Sequence, residues 1–364
     1  MPYISKFSIS PLKGRHNIDN VHALLKLYFL NICKNTARFI MNMNILISNL
    51  TNPVLLFFIL GVFATIVKSD LEIPAASAKF ISLYLLFSIG FKGGQELVHS
   101  GINEQIIFTL LIALAFSVLV PLYVFYLLRL KLNVFDSGAV ASAYGSVSAV
   151  TFISAASFLE MNNTPFGGHM VAAMALMEAP AIVVGMILIR KYDKENSETA
   201  SLKTVLHDAF TNGSVLMILG SLAIGVIADS KQAEGIKPFT SDIFKGFLAI
   251  FLLEMGMVAA KRFKAFIKYG WFVSLFSIII PLINGSIAVL VTTFGNIEVG
   301  NRFMLAILAA SASYIAVPAA MRLAAPKADP GLYIPMALGL TFPFNITIGM
   351  PLYWMLIQVF PNTH

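Results

Sequence analysis

An internal repeat constrains this chain more than any other feature of its sequence. Residues 137–189 align without a gap on residues 302–354, and shorter stretches before them also correspond. Residues that are identical at matching positions include the pairs Ser146 and Ser311, Ser148 and Ser313, Ala155 and Ala320, Gly90 and Gly256, and Lys79 and Lys245. Each copy contains five apolar stretches, and an odd number of membrane crossings would leave the second copy inverted relative to the first.

The composition indicates a chain that lies in a membrane. Hydrophobic residues make up 58% of the sequence and charged residues 12%, about half of the roughly 25% that soluble domains carry. The net charge of +7 does not indicate nucleic-acid binding, because the charges lie in short loops between apolar stretches. The one cysteine, Cys33, excludes an internal disulfide and a cysteine metal cluster.

The apolar stretches predict membrane-spanning helices. A helix of about 20 residues crosses the roughly 30 Å hydrocarbon core, and these stretches lack the alternation of strands. The predicted spans are residues 53–67, 74–91, 105–129, 137–159, 169–189, 210–228, 241–259, 270–294, 300–322 and 333–360. The sequence therefore predicts an all-α polytopic membrane protein with ten transmembrane helices in two inverted five-helix repeats.

The distribution of Lys and Arg predicts the orientation of these spans. The loops after the odd-numbered spans are richer in these residues than the loops after the even-numbered spans, where Arg302 is one of few. Because basic loops stay in the cytoplasm, both ends of the ten-helix core are predicted to face outward. The expected location is the plasma (inner) membrane of a bacterium.

The chain divides into four predicted segments, which are an N-terminal extension (1–42), repeat 1 (43–189), a cytoplasmic linker (190–209) and repeat 2 (210–360). The extension breaks the charge rule, because it carries several basic residues on the predicted outer side. It is either an interfacial or disordered tail, or translation begins later, at Met41 or Met43. The linker has the composition of a solvated connection, and a docking site for a soluble regulator is the alternative.

Spans 4 and 9 are unusual because they combine small hydroxyl residues with helix breakers. The residues concerned are Gly145, Ser146, Ser148 and Thr151 in span 4, and Ser311, Ser313 and Pro318 in span 9. Helices that break at membrane depth expose amide N–H groups to anions and carbonyl groups to cations. Small residues also let membrane helices pack closely, which is the alternative interpretation. A binding site is favoured, because the two stretches coincide across the repeat.

Two carboxylates lie within predicted spans. A carboxylate near the middle of a bilayer costs ~2.5–3.5 kcal/mol, so it normally faces the protein interior. Glu178 in span 5 is predicted to couple transport, and capping of polar side chains of span 4 is its alternative role. Glu254 in span 7 either belongs to the same site or lines an aqueous cavity. Asp136 and Glu160 flank span 4 and are predicted to cap its ends.

Several segments of unusual composition carry a family resemblance. They are FSIGFKGG (Phe87 to Gly94), YGSVSAVTF (Tyr144 to Phe152), ALMEAPAIV (Ala175 to Val183), AASASYIAVPAAMR (Ala309 to Arg322), PKADPGLYIP (Pro326 to Pro335) and TFPFNI (Thr341 to Ile346). With these segments the chain resembles the sodium-dependent bicarbonate transporter superfamily over residues 42–360. It differs from the cyanobacterial members at Tyr314, where they have an aspartate, and at Val258, where they have a glutamate.

The resemblance implies a fold, a transported ion and partners. Helices 4 and 9 would be discontinuous and would cross at the centre. Sodium would be the co-transported ion, with no other cofactor, and the assembly would be a homotrimer with a PII-like cytoplasmic regulator in some members. The implied substrate pocket comprises Gly145, Ser146, Ser148, Thr151, Ser311 and Ser313. The implied sodium site comprises Ser148, Thr151, Glu178 and Ser313.

The sequence favours a secondary transporter that carries a small anion with sodium, bicarbonate being the first candidate. A second hypothesis couples a small organic anion to protons, because a carboxyl group out of water, such as that of Glu178, can carry a proton. A third is a membrane sensor that binds without transport. An intramembrane enzyme is not favoured, because the serines of spans 4 and 9 have no basic partner at membrane depth.

Overall fold

A computed structural model describes residues 53–100, 103–193, 213–266 and 270–362, with isolated positions between 203 and 211. Within those ranges every regular element is a helix. The predicted N-terminal extension, including Cys33, and most of the predicted linker lie outside the described residues.

Thirteen helices are numbered here in chain order. They are α1 (Pro53–Ile66), α2 (Ala75–Ser100), α3 (Glu104–Leu128), α4 (Val134–Gly145), α5 (Ala149–Met161), α6 (His169–Tyr192), α7 (Gly213–Ile227), α8 (Ser230–Lys237), α9 (Phe244–Phe266), α10 (Trp271–Thr292), α11 (Val299–Ala310), α12 (Ala316–Ala324) and α13 (Pro330–Val359). In the described part of the chain, seven helical segments are long and apolar enough to cross a membrane. Three shorter apolar helices accompany them at Leu55–Ile66, Gly213–Ile227 and Val299–Ala310.

The helices pack as two bundles. In the first, α1 lies along α9 and α2 lies along α7. In the second, α3, α4 and α6 pack together, and α10 packs with α11 and α13. Helix α5 packs against α11, and α12 packs against α4 and α6, so both belong to the second bundle. The bundles meet where α2 contacts α6, α6 contacts α7 and α9 contacts α13.

Glycines bring the helices of the first bundle close together. A Cβ atom at Gly256 of α9 would collide with the Phe58 carbonyl of α1, and a Cβ atom at Gly90 of α2 would collide with Ser221 of α7. Small residues of this kind allow close helix packing in membranes. The matching pair Gly90 and Gly256 therefore has the same packing role in both helix pairs.

Arg302 lies in the core of the second bundle, which corrects the expectation that it is an outer loop residue. Its side chain is 1% exposed. The guanidinium donates to the Val289 carbonyl at 3.1 Å, the Phe360 carbonyl at 2.8 Å and the Thr293 hydroxyl at 2.8 Å. Carbonyls near helix C-termini lack intrahelical partners, so Arg302 ties together the ends of α10 and α13.

Two further features were not expected from the sequence. The predicted loop before span 7 contains the short helix α8, which begins with a capping box between Asp229 and Gln232. Helix α13 contains two wide (π-type) turns, Met336–Thr341 and Asn345–Gly349. Wide turns shift the backbone hydrogen bonds and occur often at functional sites.

Candidate functional site

The first helix break separates α4 from α5 at Ser146–Ser148. The Ser146 N–H donates to the Ser142 carbonyl at 3.0 Å and closes the last turn of α4. Ser148 then caps α5, because its hydroxyl oxygen accepts from the Thr151 N–H at 3.1 Å. A serine in an extended conformation is among the best residues to begin a helix.

The second break separates α11 from α12 at Ser311–Ile315. Pro318 lies in the first turn of α12, where backbone N–H groups have no intrahelical acceptor. Pro318 was expected to break the helix by removing a hydrogen bond, but it lies just after the break and removes no helical hydrogen bond. The Ser313 hydroxyl accepts from the Val317 N–H at 3.3 Å.

The two breaks contact each other directly. The Ser313 N–H donates to the Ala143 carbonyl at 2.8 Å. In the matching contact, the Ser148 N–H donates to the Ser311 hydroxyl at 3.1 Å, and that hydroxyl donates to the Leu308 carbonyl at 2.8 Å. Ala143 and Leu308 occupy matching positions of the two repeats. The contact between the two breaks therefore uses the Ser148 and Ser313 N–H groups and the Ala143 and Leu308 carbonyls, which occupy matching positions, and on one side the Ser311 hydroxyl lies between donor and acceptor.

A small cavity of about 30 Å³ lies at the start of both second half-helices. Its polar lining residues are Ser148, Glu178, Ser214, Ser313 and Tyr314. The N-terminus of an α-helix carries a partial positive charge of about half a unit. The cavity therefore combines two positive helix ends with one carboxyl group, a composition that suits an anion provided that the carboxyl is neutralised.

The predicted site residues divide into two groups. Ser148, Ser313 and Glu178 line the cavity. The other predicted residues do not line it, and they are Gly145, Ser146, Thr151 and Ser311. A Cβ atom at Gly145 would collide with the ring of Pro121, so this glycine faces α3. Their assignment to the site stays a prediction.

Glu254 lies near this cavity without lining it. Its side chain is half-buried in α9, and its Oε2 atom is buried with no hydrogen-bond partner among the described residues. The hydroxyl of Tyr314, which does line the cavity, lies 3.9 Å from the Sδ atom of the neighbouring Met255. Tyr314 therefore lies between the cavity and α9.

Asp136 and Glu160, which were predicted to cap the ends of span 4, contact residues that are distant in the sequence. Asp136 lies in the first turn of α4 and accepts a hydrogen bond from the Asp329 N–H at 2.8 Å, which fixes the loop before α13. Glu160 pairs with Lys245 of α9 at 3.1 Å and so links the two bundles. Glu160 also lines a larger cavity of about 950 Å³, which lies between α2, α5 and α8.

One residue beside the second break was not predicted from the sequence. Asn345, at the second wide turn of α13, donates from Nδ2 to the Ala310 carbonyl at 2.8 Å, at the last residue of α11. The signal that could have found it is a single carboxamide within the apolar segment TFPFNI.

Comparison with protein families identifies a match that covers most of the chain. Residues 53–358 match the model of a family described as the Na⁺-dependent bicarbonate transporter superfamily. The match extends from the first residue of α1 into the last turn of α13 and includes both helix breaks. The search of curated proteins found no match.

Proposed function

This chain belongs to the Na⁺-dependent bicarbonate transporter superfamily, and from that premise we propose that it is a sodium-coupled symporter of a small anion, bicarbonate being the first candidate. Its apolar helices make it a multi-pass membrane protein, and its family makes it a transporter and not an enzyme. Substrate and coupling mode are the proposed part.

The main support for the proposal is the cavity at the N-termini of α5 and α12. Helix N-termini bind anions because their N–H groups and the helix dipole point at the ligand. Ser148 and Ser313 add hydroxyl groups beside those N–H groups. A small oxyanion such as bicarbonate complements these donors in charge and accepts hydrogen bonds from them.

Glu178 explains why a cation is needed. Its carboxyl group shares the cavity with the proposed anion site, and two like charges in a poorly hydrated space repel strongly. A sodium ion beside Glu178 would offset that repulsion, so that each ion binds weakly without the other. This mutual dependence is a coupling free energy, typically about 1–3 kcal/mol. Each net charge moved adds ~2.3 kcal/mol per 100 mV of membrane potential.

We propose two inverted repeats of five helices as the architecture behind transport. The packing role shared by Gly90 and Gly256 supports it, and so do the matching contacts at Ala143 and Leu308. The cavity is lined by α2 and α7 of the first bundle and by α5, α6 and α12 of the second. Movement of one bundle against the other around this site would give alternating access.

The remaining family-level features are also proposals. Positive loops support a cytoplasmic linker and outward-facing ends of the core, and a bacterial inner membrane is the expected location. The resemblance supports a homotrimer and a PII-like partner at the linker.

Uptake into proteoliposomes tests the proposal. We expect labelled bicarbonate to accumulate when sodium is higher outside than inside, and not when choline replaces sodium. Glu178→Gln should lower sodium-driven uptake by roughly 5- to 150-fold, the range expected from coupling of about 1–3 kcal/mol. Glu254→Gln is the comparison variant, because Glu254 lies near the cavity without lining it. A loss confined to Glu178→Gln assigns the coupling to Glu178 alone, and an equal loss in both variants includes Glu254 in the coupling. Uptake by the native chain that is independent of sodium would reject the symport.

Proton coupling is the second candidate, and the cavity lining gives it support. Among the described residues, no basic side chain lines the cavity beside Glu178, so a proton could neutralise the carboxyl instead of sodium. An imposed pH gradient in sodium-free vesicles would then drive uptake of the native chain, and Glu178→Gln would abolish that pH dependence. A pH profile that is unchanged in the variant excludes the proton role of Glu178.

A further inference from the structure

The cavity at the N-termini of α5 and α12 is less symmetric than the repeat that forms it. Ser148 and Ser313 occupy matching positions of the two repeats, and both line the cavity. The residues that follow them also match in position and line the cavity, but one is Ala149 and the other is Tyr314. The second repeat therefore places a phenol in the cavity where the first repeat places a methyl group.

The hydroxyl of Tyr314 reaches the first repeat. It lies next to the side chain of Ser148, which caps the start of α5. Ser148 Oγ already accepts a hydrogen bond from the Thr151 N–H at 3.1 Å. Two hydroxyl groups from different repeats therefore lie together at the N-terminus of α5, where the helix dipole favours a negative charge.

Among the described residues, the Tyr314 hydroxyl donates to a weak acceptor. Its hydrogen bond goes to Met255 Sδ at 3.9 Å, and a thioether sulfur accepts hydrogen bonds poorly. The carboxyl group of Glu254 lies within electrostatic range of the hydroxyl, but its buried Oε2 atom accepts no hydrogen bond from the described residues. The O–H group of Tyr314 is therefore available to a stronger acceptor in the cavity.

Contacts between aromatic rings fix the position of this hydroxyl. The Tyr314 ring packs edge-on against Phe342 of α13, with 6.2 Å between the ring centroids. Phe342 in turn packs edge-on against Phe58 of α1, with 5.7 Å between the centroids. A donor that is held in place before the ligand arrives loses less conformational entropy on binding.

We propose that Tyr314 is a substrate-binding residue, whose hydroxyl donates a hydrogen bond to the anion and holds it at the α5 side of the cavity. Hydrogen bonds to an ionised acceptor are roughly twice as strong as those between neutral groups, so a shift of the donor from Met255 to the anion is favourable. This role rests on the proposed anion transport. It adds a contact from the second break that the matching Ala149 of the first break cannot make.

Bicarbonate binding to the purified full-length chain tests this role. The unfolding midpoint is measured against bicarbonate concentration at constant sodium, with gluconate balancing the total anion concentration, because a ligand stabilises the state that binds it. We expect Tyr314→Phe, which lacks only the hydroxyl, to weaken bicarbonate binding at least about tenfold. In proteoliposomes, the KM for bicarbonate should rise while the maximal uptake rate changes little, as expected when a binding contact is lost.

Tyr144→Phe is the matched control. Tyr144 lies in the last turn of α4, is 2% exposed and does not line the cavity. Its hydroxyl is hydrogen-bonded to Thr341 at 2.8 Å, so Tyr144→Phe should lower the unfolding midpoint without bicarbonate and leave the bicarbonate affinity unchanged. Tyr314→Phe breaks only the weak contact to Met255, so its midpoint without bicarbonate should stay near that of the native chain. That midpoint also shows that the variant folds.

The outcomes separate the role of Tyr314 from the proposed function. Native bicarbonate affinity in Tyr314→Phe, with sodium-driven uptake intact, overturns the role and leaves the symport standing. An equal loss of affinity in Tyr314→Phe and Tyr144→Phe also overturns it, because the loss would then reflect a general weakening of the fold. Absence of bicarbonate binding and of sodium-driven uptake in the native chain overturns both. A loss of affinity confined to Tyr314→Phe supports the role.

Discussion

The two helix breaks occupy matching positions in the sequence but are stabilised differently. The first is fully buried, with Val147 5% and Ser148 3% exposed, and a serine caps the helix that follows it. The second extends from Ser311 to Ile315, and Ile315 is 40% exposed. Its capping contact, from Val317 to Ser313, is longer at 3.3 Å.

This difference assigns the breaks separate roles. The first break has its own cap and is enclosed by α3 and α6. It is therefore the more rigid of the two breaks. The second depends more on its contact with the first, through Ala143, and it presents Tyr314 to the cavity. Substitutions at matching positions should therefore cost more stability in the first break than in the second.

The largest effect is expected from Gly145→Val. The added side chain would collide with Pro121 of α3 and approach Ala181 of α6, and overpacking of this kind costs about 3 kcal/mol or more when neighbours are rigid. Thermal unfolding in detergent measures the loss. Gly220→Val is the control, because no atom lies within 4 Å of a Cβ atom there. An equal loss in both variants would show that helix propensity and not packing is responsible.

A smaller loss is expected from Ser311→Ala. The variant removes the hydroxyl that joins the Ser148 N–H to the Leu308 carbonyl. It leaves a buried N–H without an acceptor, which costs about 1–3 kcal/mol. Unfolding midpoints of Ser311→Ala and Ser311→Thr compare loss of the hydroxyl with its retention. Equal stability of Ser311→Ala and the native chain contradicts the hydroxyl link.

The capping serines compare the breaks most directly. Ser148→Ala removes a good N-cap and should cost about 1 kcal/mol. Ser313→Ala should cost less, because its contact to Val317 is longer. Both changes should also weaken anion binding, since both serines line the cavity. A greater loss of stability in Ser313→Ala would reverse the assignment of the rigid break.

The smallest effect is expected from Pro318→Ala. Pro318 lies in the first turn of α12, where proline fits without strain. Its replacement chiefly increases the entropy of the unfolded chain and should cost less than about 1 kcal/mol. The unfolding midpoint and the uptake rate check this. A loss of uptake without loss of stability would mean that Pro318 prevents α12 from extending backward into the second break.

The sequence predicted the parts of the fold that depend on local chemistry. The apolar runs predicted the helices, and the hydroxyl and breaker residues of spans 4 and 9 predicted both breaks. Asn345 and the packing contact of Gly145 were not predicted, because their environment comes from distant helices. The role of Gly145 depends on Pro121, and that of Asn345 on the end of α11.

The local sequence pattern also did not predict where some charged side chains lie or which residues they contact. Arg302 was counted with the outer loop residues, because it lies beside the predicted start of span 9. Its burial depends on carbonyl groups that α10 and the segment after α13 supply from elsewhere in the chain. Likewise, the pairing of Glu160 with Lys245 joins residues of different repeats, and neither neighbourhood in the sequence indicates it.

Because α13 contains two wide turns, the number of residues in this helix determines which way the side chains after those turns point. Each such turn accommodates an extra residue, which rotates all following side chains by about 100°. Beyond both turns, Tyr353 donates from its hydroxyl to the Pro281 carbonyl of α10 at 2.8 Å. Deletion of one residue between Asn345 and Gly349 would make this part of the helix regular. The same deletion would rotate Tyr353 away from α10 and break its hydrogen bond to Pro281. A substitution in this segment keeps the direction of the side chains that follow, whereas a single-residue deletion changes it.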